Sequence, residues 1–388
     1  MSRRTLPRRG GKSGSQVTQA ERGGGRGGVG DNATGSRGWA RGPVGGDGLT
    51  FPLRSHRLIG YPTSINRFRQ QRRTPCMRMG EAEALGTKVL KKEIIRISML
   101  PFIRAEIPGW GYLYKTFIGS WRDNGFWENE PPRIIRDKRC GYYRIVTISE
   151  WADRALYFLG RWYDLEAALL VDALVKTNDR VLDVGANFGH FSLAAAKAVG
   201  PSGSVMSFEP NPNAYARLSL HLALNKLSWV EANNIGVSDT EGCLTLSIPS
   251  VNSGEATFGT SKYRDVSVVE VPVQRLDDIA SQKQVSFLKI DVEGFEVHVL
   301  RGAKKIIESD RPMILTEVVE KHLEGAGESR HSLYQLMEEM GYKSFLLGMK
   351  GRGASQRLSL SAVPASECDG DFLWITPDNE KLISKFLS

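Results

Sequence analysis

The sequence predicts an α/β protein built on a doubly wound, mostly parallel sheet. Three observations carry that prediction. From residue 180 onward, short apolar runs alternate with stretches of helical periodicity, the order that βαβ units impose. The first run, Arg180–Val184, ends in a glycine-rich turn, and the second, Ser204–Phe208, ends at Glu209 and Pro210. Two later runs, Val285–Ile290 and Met313–Thr316, end at Asp291 and Glu317. Ligands of such sheets bind at the carboxyl ends of the strands, so these polar residues mark a site.

The elements run in order along the chain. Residues 81–98 read as a short helix, and Pro101, Pro108, Pro131 and Pro132 punctuate the stretch after it. Tyr142–Ile148 is β-rich and reads as a strand. Trp151–Leu174 carries helical periodicity over two short helices. Trp110, Trp121, Trp127, Trp151 and Trp162 gather here, either as core and cap residues or as an aromatic wall for an acceptor. After Arg180–Val184 come a helix over Phe188–Val199, the strand Ser204–Phe208, a helix over Asn213–Leu224 and a third strand over Val230–Val237. Cys243–Ile248 and Val266–Val273 read as a strand pair added at the surface. Gly294–Glu308 reads as one helix with Phe295, Val299, Leu300, Ala303 and Ile306 on one face. Strand Met313–Thr316, helix Ser332–Met340 and strands Tyr342–Leu347 and Asp371–Thr376 complete the series.

Composition removes several classes. The 388 residues are 41% hydrophobic and 24% charged, ordinary for a globular chain. Its 41 glycines follow no three-residue period, so collagen is excluded. Cys76, Cys140, Cys243 and Cys368 are widely spaced, which argues against a disulfide framework or a structural zinc site and fits a reducing compartment. No apolar run reaches the roughly 18–20 residues that span a bilayer, and no apolar leader core opens the chain. A cytoplasmic location is therefore expected.

The charge is uneven. Residues 1–75 hold 15 Lys and Arg against Glu21, Asp31 and Asp47, a local net of +12; the whole chain is +9, so −3 is left for 76–388. Residues 1–48 contain 15 Gly mixed with Arg and Ser. Such a segment buries too little apolar surface to offset its ordering entropy, so a disordered basic tail is expected over 1–76. It reads as an inert extension, as an upstream stretch translated from a misplaced start with Met77 or Met79 as the real one, or as an RNA-binding arm, a transit peptide or a non-specific anion binder. Residues 77–165 then form a cap on the acceptor side, and 166–388 the sheet domain.

The chemistry lies in four motifs. Val181-Leu182-Asp183-Val184-Gly185-Ala186-Asn187-Phe188-Gly189 joins the first strand to the first helix. Gly185 and Gly189 allow close backbone approach to a ligand. A dinucleotide turn would read G-x-G-x-x-G to cradle a pyrophosphate. Here the pattern is G-x-N-x-G after an acid, which suits a cationic ligand such as the amino group of S-adenosylmethionine. Glu209 stands 24 positions after Gly185, where an acid holds a ribose diol. Asp291, in Ile290-Asp291-Val292-Glu293-Gly294, and Glu317 end buried strands. They are candidates for deprotonating an acceptor hydroxyl or for holding a divalent cation through oxygen ligands. The alternative for Asp291 and Glu293 is that they cap the next helix.

The runs VLDVGANFGHFS, SFEPNPNAY, LKIDVEGFEVHVLRGA and RPMILTE together resemble the FkbM family of S-adenosylmethionine-dependent methyltransferases over residues 140–376. The resemblance implies a Rossmann-like class I methyltransferase fold with seven strands, the last antiparallel. It implies O-methylation of a sugar, glycan or secondary-metabolite hydroxyl. It also implies that Asp183, Gly185, Asn187 and Gly189 line the methionine side of the cofactor and Glu209 its ribose, and it matches Asp291, Glu293 and Glu317 to the family's acidic positions. The long basic N-terminus departs from the family. His190, where an aromatic is common, reads as a packing residue at a helix start, and His298 as a solvated side chain.

Specificity is expected in residues 80–165, 249–265 and 348–364, with a small molecule or glycan as acceptor and no dedicated metal site. Two rivals remain. An RNA methyltransferase would use the basic tail, but Asp291-Val292-Glu293 stands where an [ND]-P-P-[YF] motif belongs. A non-catalytic scaffold would not need the intact glycine turn and Glu209. A nicotinamide oxidoreductase lacks its pyrophosphate turn.

Overall fold

A computed structural model of the chain describes residues 94–95, 98–250, 253–280, 282–351 and 356–387. The chain divides into units 1–73 and 74–388, and every described residue belongs to the second. The tail expected over 1–76 and most of the helix expected over 81–98 lie outside the described residues.

The main sheet uses β3 (Arg180–Val184), β4 (Ser204–Phe208), β5 (Val230–Asn233), β9 (Phe287–Ile290), β10 (Met313–Val318), β11 (Lys343–Lys350), β12 (Arg357–Ser361) and β13 (Gly370–Ile375). Their spatial order is β12-β11-β13-β10-β9-β3-β4-β5. β5, β4, β3, β9 and β10 are mutually parallel, and β13 lies antiparallel between β10 and β11. This is the seven-stranded class I methyltransferase order with its last strand reversed. β12 adds an eighth strand at one edge, antiparallel to β11. It lies within the stretch 348–364, for which the sequence predicts no strand.

Strand alternation sorts side chains onto two cores, as a sheet covered on both faces requires. Val181, Val205, Phe287 and Leu315 join one cluster, while Leu182, Phe208, Leu288 and Ile314 join the other. Helices 165–174 and 190–199 pack with the first cluster, and 296–302, 304–310 and 330–339 with the second.

Three boundaries differ from expectation. The run 230–237 divides: β5 joins the main sheet, and β6 (Gly236–Val237) joins β7 (Gly242–Pro249) and β8 (Val266–Gln274) in a separate sheet of order β6-β8-β7. The break comes where the Asn234 side chain donates to the Glu209 and Pro210 carbonyls instead of continuing the ladder. The helix over 294–308 is two, 296–302 and 304–310, because the Asp277 carboxylate accepts from the Lys305 and Ile306 amides and starts a new one. Pro101 does not end the first helix, which continues through residue 104.

The cap packs around its own core of Ile103, Ile118, Trp127, Ile148, Leu156 and Phe158. Its hairpin, β1 (Arg133–Arg136) with β2 (Tyr143–Val146), is fastened to helix 212–225. Arg217 donates to the Ile145 carbonyl at 2.6 Å and pairs with Asp153. His221 Nε2 accepts from the Ile145 amide at 3.0 Å, and its Nδ1 meets the Phe188 carbonyl at 2.8 Å. The Asn225 side chain bonds both the amide and the carbonyl of Tyr143. No helix among the described residues is long and apolar enough to cross a membrane.

Candidate active site

Register builds the site. Val184 lies opposite Phe208 and Ile290, and Ile290 lies opposite Thr316. The next residue on each strand is therefore Glu209, Gly185, Asp291 and Glu317, in one row along the carboxyl edge, about 4.8 Å per strand. All four line a cavity of about 940 Å³.

Gly185 is fixed by sterics. Its φ is +75°, and a Cβ would stand 1.8 Å from the Asp291 carbonyl oxygen. The turn is thus pressed against the end of β9, which keeps its backbone open on the cavity side. Asn187, at φ +50°, lines the cavity, and its side-chain oxygen is buried without a hydrogen-bond partner among the described residues. An orphaned buried acceptor is costly, and a ligand donor would relieve it. Glu209 accepts from the Asn187 amide at 2.6 Å and the Asn211 amide at 2.8 Å, one on each oxygen. A carboxylate oxygen has capacity for a further donor, so the pair of diol hydroxyls still has acceptors. Burial pushes Glu209 up to about 7 against these amides. These features fit S-adenosylmethionine, with Gly185 and Asn187 at the turn and Glu209 at the ribose.

Two residues matched to the methionine side do not line the cavity. Asp183 is completely buried, held by the Ser192 hydroxyl at 2.5 Å and by Lys289 Nζ at 3.4 Å. It ends up inside because alternation points its side chain to the sheet face covered by helix 190–199, which carries Ser192. Gly189 begins helix 190–199, where a Cβ would meet Leu218 at 2.5 Å, so it serves packing against helix 212–225.

Lys289 was missed. It is 8% exposed within an apolar strand, donates to the Gly185 carbonyl at 2.8 Å and also pairs with Asp291 at 3.2 Å. Burial opposes its ammonium, but Asp291 and Asp183 outweigh that and raise its pKa above the ordinary lysine value. The only signal was a lysine inside a run that reads as a buried strand.

Beyond Asp291 the cavity turns acidic. Glu317 is pushed up to about 10 by burial and by Asp291 and Glu293 nearby. Glu293 sits at φ +54°, and burial raises it despite its 3.0 Å pairing with His322. The adjacent Gly294 abuts helix 320–325 so closely that a Cβ would stand 2.1 Å from the His322 carbonyl oxygen, which brings Glu293 to His322. Neither Asp291 nor Glu293 caps helix 296–302: Glu296 accepts from the Val292 and Gly294 amides instead. Two triads bring ligand atoms within 4.8 Å of one another, Asp291–Glu293–Glu317 and Glu255–Glu293–His322, and either could hold a divalent cation.

Among the tryptophans, Trp151 lines the cavity and contacts Tyr163 at 5.0 Å, whereas Trp127 is core. Residues 254–263 supply Glu255, Phe258 and Tyr263 to the lining. No described residue of 348–364 does so, because β12 occupies that stretch at the far edge of the sheet. His190 is buried, stacked on Trp162 and 2.7 Å from Arg144, with burial holding it well below the ordinary histidine value. His298 is not simply solvated: it stacks on Phe295 at 4.1 Å and meets Asp239.

Residues 183–344 match the model of the methyltransferase FkbM domain. A methyltransferase of Sordaria araneosa, sdnD, is 27% identical over 54% of this chain and 89% of its own length. Methyltransferase 1 of Beauveria bassiana is 29% identical over 31% of this chain and 57% of its own. The hexuronic acid methyltransferase AglP of Haloferax volcanii is 27% identical over 38% of this chain and 58% of its own.

Proposed function

We propose that this chain, which belongs to the FkbM family of S-adenosylmethionine-dependent methyltransferases, methylates a hydroxyl group of a sugar, a glycan or a secondary metabolite. The observation that carries the reading is the row Glu209–Gly185–Asp291–Glu317 along one cavity. It sets a ribose acid and an open turn beside two acids of different character. The acidic lining repels a phosphate backbone, and Trp151 with Tyr163 offers faces to a ring.

When bound, S-adenosylmethionine supplies a methyl group already activated by positive sulfur. The chain's task is alignment and proton removal, and alignment alone contributes roughly 7–11 kcal/mol. Asp291, 44% exposed and paired with Lys289, faces the cavity. It takes the hydroxyl proton as the new carbon–oxygen bond forms and the carbon–sulfur bond breaks. Glu317 holds a proton at neutral pH and orients the acceptor by donating to it.

Calorimetry with S-adenosylhomocysteine and transfer of labelled methyl to a panel of sugars and hydroxylated metabolites test this. Asp291→Asn should keep cofactor affinity and lower turnover by roughly 10²–10⁴-fold. Undiminished turnover in that variant removes Asp291 from the mechanism. A folded wild-type protein that fails to bind S-adenosylhomocysteine removes the reading as a whole.

A further inference from the structure

We propose that a second cavity, of about 350 Å³, is a subsite for the next unit of an extended acceptor, and that this unit is neutral and polyhydroxylated, as a sugar ring is. The inference rests on the acceptor reading above and narrows it to a glycan or glycoside. The second cavity shares Glu255, Tyr263, Glu293 and His322 with the main one.

The shared residues carry a run of side-chain pairs. Lys262 Nζ lies 2.5 Å from Glu255 and 3.5 Å from His322 Nε2, and His322 Nδ1 lies 3.0 Å from Glu293. Lys262 is 38% exposed on a flexible four-carbon stem.

The surrounding frame is fixed by backbone. The Thr260 amide donates to the Gly325 carbonyl at 2.9 Å, and Ser247 and Thr257 exchange amide–carbonyl bonds at 2.9 and 3.0 Å. The Thr257 hydroxyl donates to the Glu293 carbonyl at 2.9 Å. A pocket held this way needs little ordering when a ligand arrives.

Its chemistry selects the occupant. Thr260, Ser261 and Tyr263 present hydroxyls and one ring. The charged groups come in pairs: Lys262 meets Glu255, His322 meets Glu293, which raises its pKa, and Lys321 and Glu324 are of opposite sign. With those pairs in place a charged occupant finds no uncompensated partner, and an apolar ring would strip water from hydroxyls and charges without replacing it. The volume falls at the small end of ligand pockets, about 300–1,000 Å³, which suits one ring.

The test uses the full chain saturated with S-adenosylhomocysteine. Gluco-, manno- and galacto-oligosaccharides of one to three residues are titrated by calorimetry and saturation-transfer NMR. In at least one series the disaccharide should bind ten-fold or more tightly than its monosaccharide. Thr260→Trp, which fills the second cavity from an exposed position, should abolish that gain and leave monosaccharide and S-adenosylhomocysteine affinities unchanged. Ser261→Tyr serves as a second filled variant should the first fail to fold. Monosaccharide binding without a gain in length, or a gain that survives both variants, overturns the subsite alone. Absence of any sugar binding in the S-adenosylhomocysteine complex overturns the sugar reading together with it.

Discussion

Replacing Lys289 by Met should be among the most damaging single changes outside the apolar core. The ammonium is the cationic partner of a completely buried carboxylate, Asp183, and it also anchors the cofactor turn through the Gly185 carbonyl. A pair at 3.4 Å interacts by about 5 kcal/mol at an effective dielectric of 20. The Asp291 pair contributes less, since water screens a carboxylate that is 44% exposed. Removing one member of a buried pair costs roughly 3–5 kcal/mol, and that is the expected loss of stability. Asp183 limits the damage by taking up a proton, because burial already raises its pKa. The unfolded chain releases that proton near pH 3.9, so the deficit should grow as pH rises from 4 to 7. Urea unfolding of the wild type, Lys289→Met, Asp183→Asn and the double variant at both pH values measures this. The double variant should be more stable than the sum of the single losses predicts, by at least about 1–2 kcal/mol. Additive losses, or a Lys289→Met variant within about 1 kcal/mol of wild type, would refute the argument.

Gly185→Ala should lower the melting temperature and abolish S-adenosylhomocysteine binding, since the new Cβ lies 1.8 Å from the Asp291 carbonyl oxygen; calorimetry and a thermal melt read both effects. Glu209 stands at about 7 because burial disfavours its charge. Ribose hydroxyls need the carboxylate as acceptor, so affinity for S-adenosylhomocysteine should weaken by about five-fold between pH 7 and 6, and Glu209→Ala should bind weakly with no such slope. His221 is depressed to about 4, first by burial. Its contribution is complete above the unfolded value near 6.5 and is lost as pH falls from 6.5 toward 4, at most about 3 kcal/mol. Acid titration of stability in His221→Gln, against wild type, should show a flatter profile across that window.

Much of the site was legible because parallel strands end where their ligands bind. Each of Gly185, Glu209, Asp291 and Glu317 comes directly after an apolar run, and register alone then assembles them. Asp183 and Gly189 stand off the cavity lining, which a motif match does not reveal: alternation turns one side chain inward, and a helix start engages the other. His322 and Glu255 come from outside the motifs. They meet Glu293 only through the tight turn at Gly294 and the strand pairing of Thr257, contacts between residues far apart in the chain that no local pattern encodes. β12 was lost for a plainer reason: Arg357–Ser361 is short, and it comes after a glycine-rich stretch that reads as loop.

Helix 212–225 works as a splined shaft. Arg217, His221 and Asn225 are spaced four apart, so they form one row of teeth, each seated on the backbone of the β1–β2 hairpin. The head of the same helix leads directly on from Glu209 through Asn211. The Glu209 side of the cavity and the β1–β2 hairpin are thereby keyed to one rotation. Inserting a single residue between Asn213 and Ala216 would turn the whole row by about 100° relative to Glu209 and disengage every tooth at once, whereas an insertion after Lys226 would leave the gearing intact.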